Sequence, residues 1–389
     1  MKHKFFSSTR FKLTITFSIA LLFICTIAQS FAAGIEIDVA LPGDVGLDES
    51  KLKEVTTRIR SNPKINIHSV LIVKDDKLVF EEYFSGKDYS WGEDLGMVNF
   101  NSDTLHDMRS VTKSIASALV GIAIFEGKLR GVDATVLDLF PDYSDQISAD
   151  KKPITLHHIL TMSTGLDWFE PSDYSNPGND EIRMIGSPDP VAFTLGRSLR
   201  SEPGQKFQYN GGLPTLLGYL LEKGYGKPGD QIAKEKLFDP LGIESFEFHS
   251  NSSGMLAYAS GLRLTSRDMM KIGMLYLNNG EWKEEQIIPA HWIEASLKPY
   301  LESSFTPGYG YQWWIMRFDS ADESLWVPTA IGNGGQRIFI IQPYNMVVVV
   351  TAGNYNTSDV EMWGSDVLME YVFPSLGLPE MNFVPAGSQ

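Results

Sequence analysis

The sequence predicts a fold of the α/β (α+β) class: an antiparallel sheet drawn from both ends of the chain, flanked by helices, with a mostly helical part inserted between. Three observations predict it. Strand-like runs near residues 69–84 return only after residue 311, the stretch between them carries helical periodicity, and no linker is long enough to divide the chain. The expected organisation is a leader over 1–33, then one domain over 34–389. Its sheet part covers about 34–109 and 300–389, and its helical part about 110–299.

The elements follow in order. A charged helix is expected from Asp48 to Arg60, then strands over 69–73 and 78–84 joined by a hairpin at Lys74-Asp75-Asp76-Lys77. Residues 110–125 read as a helix, apolar on most faces and therefore buried. The segment 170–204, rich in Pro, Gly, Ser and Asp, reads as a long ordered loop of the kind that is usually functional. Helices are expected over 213–223, 266–277 and 289–297. Strands follow over 311–316, 336–341 and 346–351, with Pro343-Tyr344-Asn345 as a turn, and a last helix over 358–371.

Composition narrows the function. At 43% hydrophobic and 21% charged residues, the 389-residue chain is neither disordered nor of low complexity. Lys2, Lys4, Arg10 and Lys12 form a basic start, Leu13 to Ala28 an apolar run, and Ser30-Phe31-Ala32 a cleavage site with small residues where one needs them. The apolar run is shorter than the roughly 20 residues of a spanning helix. A signal peptide is therefore expected, the alternative being a retained anchor, and the protein is expected to be periplasmic or secreted with no stable membrane insertion. Bulky Ile24 before Cys25 disfavours lipidation there. Removing 1–33 takes away four cations and no acid, so the formal charge falls from −15 to −19. Nucleic acid is not an expected partner. Cleavage also removes Cys25, the only cysteine, and with it thiol chemistry.

The first catalytic candidate is Ser110-Val111-Thr112-Lys113. Residues i and i+3 share one helix face, so Lys113 can reach the Ser110 hydroxyl and, once neutral, take its proton. Ser50–Lys53 and Ser61–Lys64 match the same pattern, but only Ser110 precedes a long apolar run. On the motif alone, Ser110 as a simple helix cap is the stronger reading.

Context changes the balance. Met108 to Ser114, Gly121-Ile122-Ala123 and Glu126-Gly127-Lys128-Leu129 are followed in order by Ile154 to Leu160, Ser163-Thr164-Gly165-Leu166, and Pro203-Gly204 ahead of Phe207-Gln208-Tyr209. Leu216-Leu217-Gly218, Ser260-Gly261-Leu262, Arg267-Asp268 and Gly332-Asn333-Gly334-Gly335-Gln336 complete the set. Together these runs resemble the serine β-lactamase-related family, which includes class C β-lactamases, DD-peptidases, family VIII esterases and 6-aminohexanoate-dimer hydrolases. The resemblance covers about residues 65 to 355 and implies the β-lactamase/DD-peptidase-like fold. It also implies that Tyr209 is the family's second-motif tyrosine. A phenol beside a lysine ammonium is expected to have a lowered pKa, so that Tyr209 acts as base in acylation and acid toward the leaving group.

Two departures qualify the resemblance. The family's Tyr-x-Asn has its amide at the third position, here Gly211, while Asn210 sits one place early. The third motif, Lys-Thr-Gly or His-x-Gly, appears as Asn333-Gly334-Gly335, which offers neither charge nor hydroxyl to a substrate carboxylate. The backbone around Gly335 and Gln336 is expected to supply an oxyanion donor beside the Ser110 N–H.

No His-Glu-x-x-His or Gly-x-Ser-x-Gly run occurs, and no metal or cofactor is expected. His157-His158 read as poor joint ligands, Trp168, Trp313 and Trp314 as core by default, and Asp167 as a minor candidate for substrate contact. The reading that follows is an exported serine hydrolase of a small-molecule ester or amide, like the esterase and 6-aminohexanoate-dimer hydrolase branches. The alternatives are a DD-peptidase or β-lactamase, and a non-catalytic binding protein of the same fold.

Overall fold

The computed structural model describes residues 37–171, 174 and 176–388; the expected signal peptide lies outside them. Its central sheet runs Gly308–Tyr309, Trp314–Asp319, Ser324–Gly332, Gln336–Ile341, Met346–Ala352, Ile67–Lys74, Lys77–Tyr83, with Asn382–Phe383 beside Trp314–Asp319. Every pairing is antiparallel. The two chain ends meet where Ile67–Lys74 pairs with Met346–Ala352. The expected hairpin forms there, with Asp75 and Asp76 both at positive φ, as a two-residue turn between twisted strands requires.

Alternation along the strands divides the core in two. Leu71, Val73, Ile338, Ile340, Val347 and Val349 face the helical part. Val70, Ile72, Phe339, Ile341, Val348 and Val350 face Leu52, Val55 and Ile59 of the Glu49–Ser61 helix and the C-terminal helical turns. Because both faces are covered, Met346–Ala352 is buried along its whole length. On the first face lies the Val111–Phe125 helix, buried from Val111 to Ala123. Gly212–Tyr225 and Ser266–Leu277 lie in the same layer. Among the described residues, no helix is long and apolar enough to cross a membrane.

Several elements differ from the sequence expectation; the strand expected over 311–316, for one, spans Trp314–Asp319. Ser324–Gly332 is a strand despite Pro328, because at Pro328 the strand pairs only with Trp314–Asp319 and its pairing with Gln336–Ile341 begins at Thr329. Ser85–Ser90 and Glu93–Asn99 form a second hairpin. The 170–204 segment is not a plain loop: Asp180–Ile185 and Pro190–Leu195 are helices capped by the Asn179 and Asp189 side chains. The last helix starts at Gly364, where Asp366 caps the Trp363 N–H, and not at Ser358.

Candidate active site

Ser110 stands at the N-cap of the buried Val111–Phe125 helix. Arg109 just before it is held at φ +48°, a left-handed conformation that a non-glycine residue adopts only under constraint. The constraint is visible. Its guanidinium reaches Asp107 at 3.1 Å and lies 4.9 Å above the Tyr355 ring. This turn sets Ser110 at the cavity edge, and its N–H makes no hydrogen bond within the described protein.

Two groups converge on the Ser110 hydroxyl. Lys113 Nζ donates to Oγ at 3.0 Å and to the Ala259 carbonyl at 2.8 Å. Tyr209 donates its hydroxyl to the same Oγ at 2.8 Å, its ring stacked on Trp314. Lys113 is 2% exposed. Burial lowers its pKa, an effect partly offset by the charges of Glu181 and Glu170. Tyr209 moves opposite to the expectation: burial first, and then Glu170, push its pKa well above the usual phenol value. The sequence pattern placed a lysine beside the phenol but hid the carboxylates beyond it. Tyr209 therefore stays protonated.

Those carboxylates were not anticipated from the sequence. Glu170 accepts from Trp168 Nε1 and the Gly211 N–H, both at 2.7 Å, and from the Tyr174 hydroxyl at 3.0 Å. Burial and the neighbouring Glu181 push its pKa up to about 8. Glu181, itself buried, accepts from Ser260 at 3.1 Å. A Cβ at position 211 would lie 2.8 Å from the Glu181 Cδ, so this acid fills the space that the family's asparagine would need. The segment carrying both acids is pinned by buried Asp180, which binds Arg183 and Arg197 at 2.9 Å and the Phe169 N–H at 2.8 Å.

A cavity of about 530 Å³ opens over Ser110 and Tyr209, walled by Glu170, Tyr174, Trp314, Gly332, Asn333, Gly334 and Arg337. Gly332 brings this wall close, since a Cβ there would meet the Met108 carbonyl at 2.3 Å. Of the third-motif residues, only Asn333 and Gly334 reach the cavity. Neither Gly335 nor Gln336 lines the cavity, so the expected oxyanion donor is not placed there. The Gly335 N–H turns back to the Gly332 carbonyl, and the buried Gln336 amide bridges Ala352 and the Asn333 carbonyl. Asn333 is the better placed donor, because it lines the cavity and its N–H has no partner among the described residues.

Asn210 also lies apart from the cavity. It is 1% exposed and accepts the Gly212 N–H at Oδ1, an internal turn contact. Trp314 does line the cavity, whereas Trp313 is core, Trp168 holds Glu170, and Asp167 pairs with Arg200. His157 bonds Tyr311 and His158 caps Thr155, so the two do not converge. Sequence reading also missed Arg337. Its Nη1 donates to the Gly332 and Gln336 carbonyls, it has no acidic partner among the described residues, and burial pulls its pKa down only to about 10. It remains a cation at the cavity wall.

Known proteins resemble this chain in sequence and in fold. The sequence model of the Beta-lactamase family matches residues 57–381. The 6-aminohexanoate-dimer hydrolase of Paenarthrobacter ureafaciens is 22% identical over 287 residues, which cover 68% of this chain and 70% of that protein. Esterase EstB of Burkholderia gladioli is 28% identical over 157 residues, 38% of this chain and only 39% of the esterase. The octameric penicillin-binding protein homologue from Pyrococcus abyssi shares the fold, with a TM-score of 0.63 at 21% identity over 86% of this chain and 78% of its own.

Proposed function

The chain belongs to the Beta-lactamase family, and from that membership and the site's geometry we propose that it is an exported serine hydrolase acting on a small ester or amide. One observation carries the reading: Lys113 and Tyr209 both bond the Ser110 hydroxyl oxygen at the floor of an open cavity. Two of this chain's relatives are named as a 6-aminohexanoate-dimer hydrolase and an esterase.

Lys113, whose ammonium burial disfavours, takes the Ser110 proton as Oγ attacks the carbonyl. The N–H groups of Ser110 and Asn333 face the oxyanion. Tyr209 passes its proton to the departing alcohol or amine and recovers one from Lys113, so no free phenolate forms. Water then enters by the reverse route and releases the acyl group. Since the neutral amine is the working form, the acylation rate rises with pH through the lowered Lys113 pKa.

Arg337 favours a second reading. A cation at the cavity wall suits a substrate carboxylate, as in a carboxypeptidase or β-lactamase. Hydrolysis of a short-chain p-nitrophenyl ester compared with nitrocefin separates the two. Ester turnover that vanishes in Ser110→Ala and far exceeds nitrocefin cleavage supports the first reading. Fast nitrocefin cleavage favours the second, and ester turnover unchanged in Ser110→Ala removes the assigned nucleophile.

A further inference from the structure

Behind the cavity wall, three buried side chains bring electron pairs toward one point. His68 of the Ile67–Lys74 strand, Asp88 of Ser85–Ser90 and His106 of His106–Asp107 are each at most 1% exposed. One ligand atom from each lies within 4.8 Å of the others. His68 Nδ1 is 2.8 Å from His106 Nε2, which is 3.7 Å from Asp88 Oδ1.

The outer ring nitrogens fix where the protons sit. Asn66 donates from Nδ2 to the Lys87 carbonyl and accepts the Lys87 N–H at Oδ1, both at 2.9 Å, so its amide cannot be reversed. That Oδ1 also faces His68 Nε2 at 3.2 Å, which must therefore carry a hydrogen. His106 Nδ1 faces the Asp107 carbonyl oxygen at 3.2 Å, a contact that favours a hydrogen there. The Tyr355 hydroxyl, 3.5 Å from that nitrogen, directs its own proton to Asp88 Oδ1 at 3.2 Å. A neutral imidazole has one N–H. With those hydrogens outside, the inner nitrogens turn two lone pairs on each other at 2.8 Å beside a carboxylate, an arrangement that a shared cation, a metal ion or a proton, relieves. Histidines whose outer N–H rests on a carbonyl oxygen are those oriented to bind metal.

We propose that His68, His106 and Asp88 bind one divalent first-row transition-metal ion. Metal–nitrogen bonds of about 2.1 Å subtend roughly 84° across this 2.8 Å nitrogen pair, close to the cis angle of an octahedral ion. Two histidines with one carboxylate suit such ions, and a turn of the Asp88 side chain brings its oxygen into reach. The three ligands come from three separate segments, so the ion clamps the 85–99 hairpin and the approach to Arg109 onto the sheet. Tyr355, which holds Asp88, lies against Gly334 and beneath Arg109. The clamp supports the cavity wall from behind, and no hydrolytic step passes through it. This adds a metal where the sequence led us to expect none.

The test is titration of the chelator-stripped protein with Co²⁺, reading visible d–d absorption and melting temperature. One Co²⁺ per chain and a melting temperature raised by a few degrees are expected. Asp88→Asn should weaken the affinity tenfold or more, and His68→Gln/His106→Gln should abolish uptake. No saturable uptake by folded wild-type protein at millimolar Co²⁺ would overturn the proposal, even if neither variant folds. Undiminished uptake by a folded double variant would overturn it as well, by placing the ion on other histidines such as His157 and His158.

Discussion

Glu170→Gln is the most informative substitution beside the nucleophile, because it removes an ionisation while keeping the shape. Glu170 moves from 4.5 in its ordinary state to about 8 in the fold, first through burial and then through Glu181. Between those values the unfolded chain loses this proton and the native chain keeps it. Stability from this group is therefore complete below about pH 4.5 and falls as pH rises to about 8. At roughly 1.4 kcal/mol per pH unit, the loss is at most about 5 kcal/mol, of which about 3 falls between pH 5.5 and 9. Glutamine mimics the protonated acid: its carbonyl can accept from Trp168 and Gly211, as Oε2 does now. Urea unfolding at several pH values measures the difference between wild type and variant. The wild type should lose about 3 kcal/mol relative to Glu170→Gln between pH 5.5 and 9. A difference that stays flat across that range would refute a protonated Glu170.

Other substitutions probe separate parts of the site. Tyr209→Phe should lower ester kcat by about 10²–10⁴ with little change in KM, because the ring can stay stacked on Trp314 while the hydroxyl is lost; steady-state kinetics decide it. Gly334→Ala puts a Cβ 2.5 Å from the Tyr355 ring at φ +95°, so chemical denaturation should show a loss of about 2–4 kcal/mol. Gly226→Ala, also left-handed but in open space, should cost only about 1 kcal/mol. Asp180→Ala leaves Arg197 Nη2 and the Phe169 N–H without their acceptor, while Arg197 Nε keeps the Asp167 carbonyl, and should destabilise the fold by about 3 kcal/mol and raise KM.

Much of the architecture was legible because local pattern and tertiary environment agree. The Asp75-Asp76 hairpin, the apolar helix after Ser110, and the Gln336–Ile341 and Ser266–Leu277 boundaries are all written in short-range residue choice. Ser324–Gly332 was not, since Pro328 argues against a strand until the neighbour at that position is known. At the site, Ser110, Lys113 and Tyr209 were nameable because spacing and motif order mark them. Glu170, Glu181 and Arg337 were hidden, because what distinguishes them is burial beside Lys113 or at the cavity wall, and nothing local predicts burial of an acid or an arginine. The error over Tyr209 has the same origin: the sign of its shift depends on acids distant in sequence.

The central claim is that Ser110 carries the acyl group. Intact-protein and peptide mass spectrometry after rapid quenching with an activated p-nitrophenyl ester tests it directly. The account predicts one acyl adduct per chain, located on Ser110, formed within the p-nitrophenol burst, faster at higher pH, and absent in Ser110→Ala. Turnover without any adduct on Ser110, or an adduct that persists elsewhere in Ser110→Ala, would contradict it.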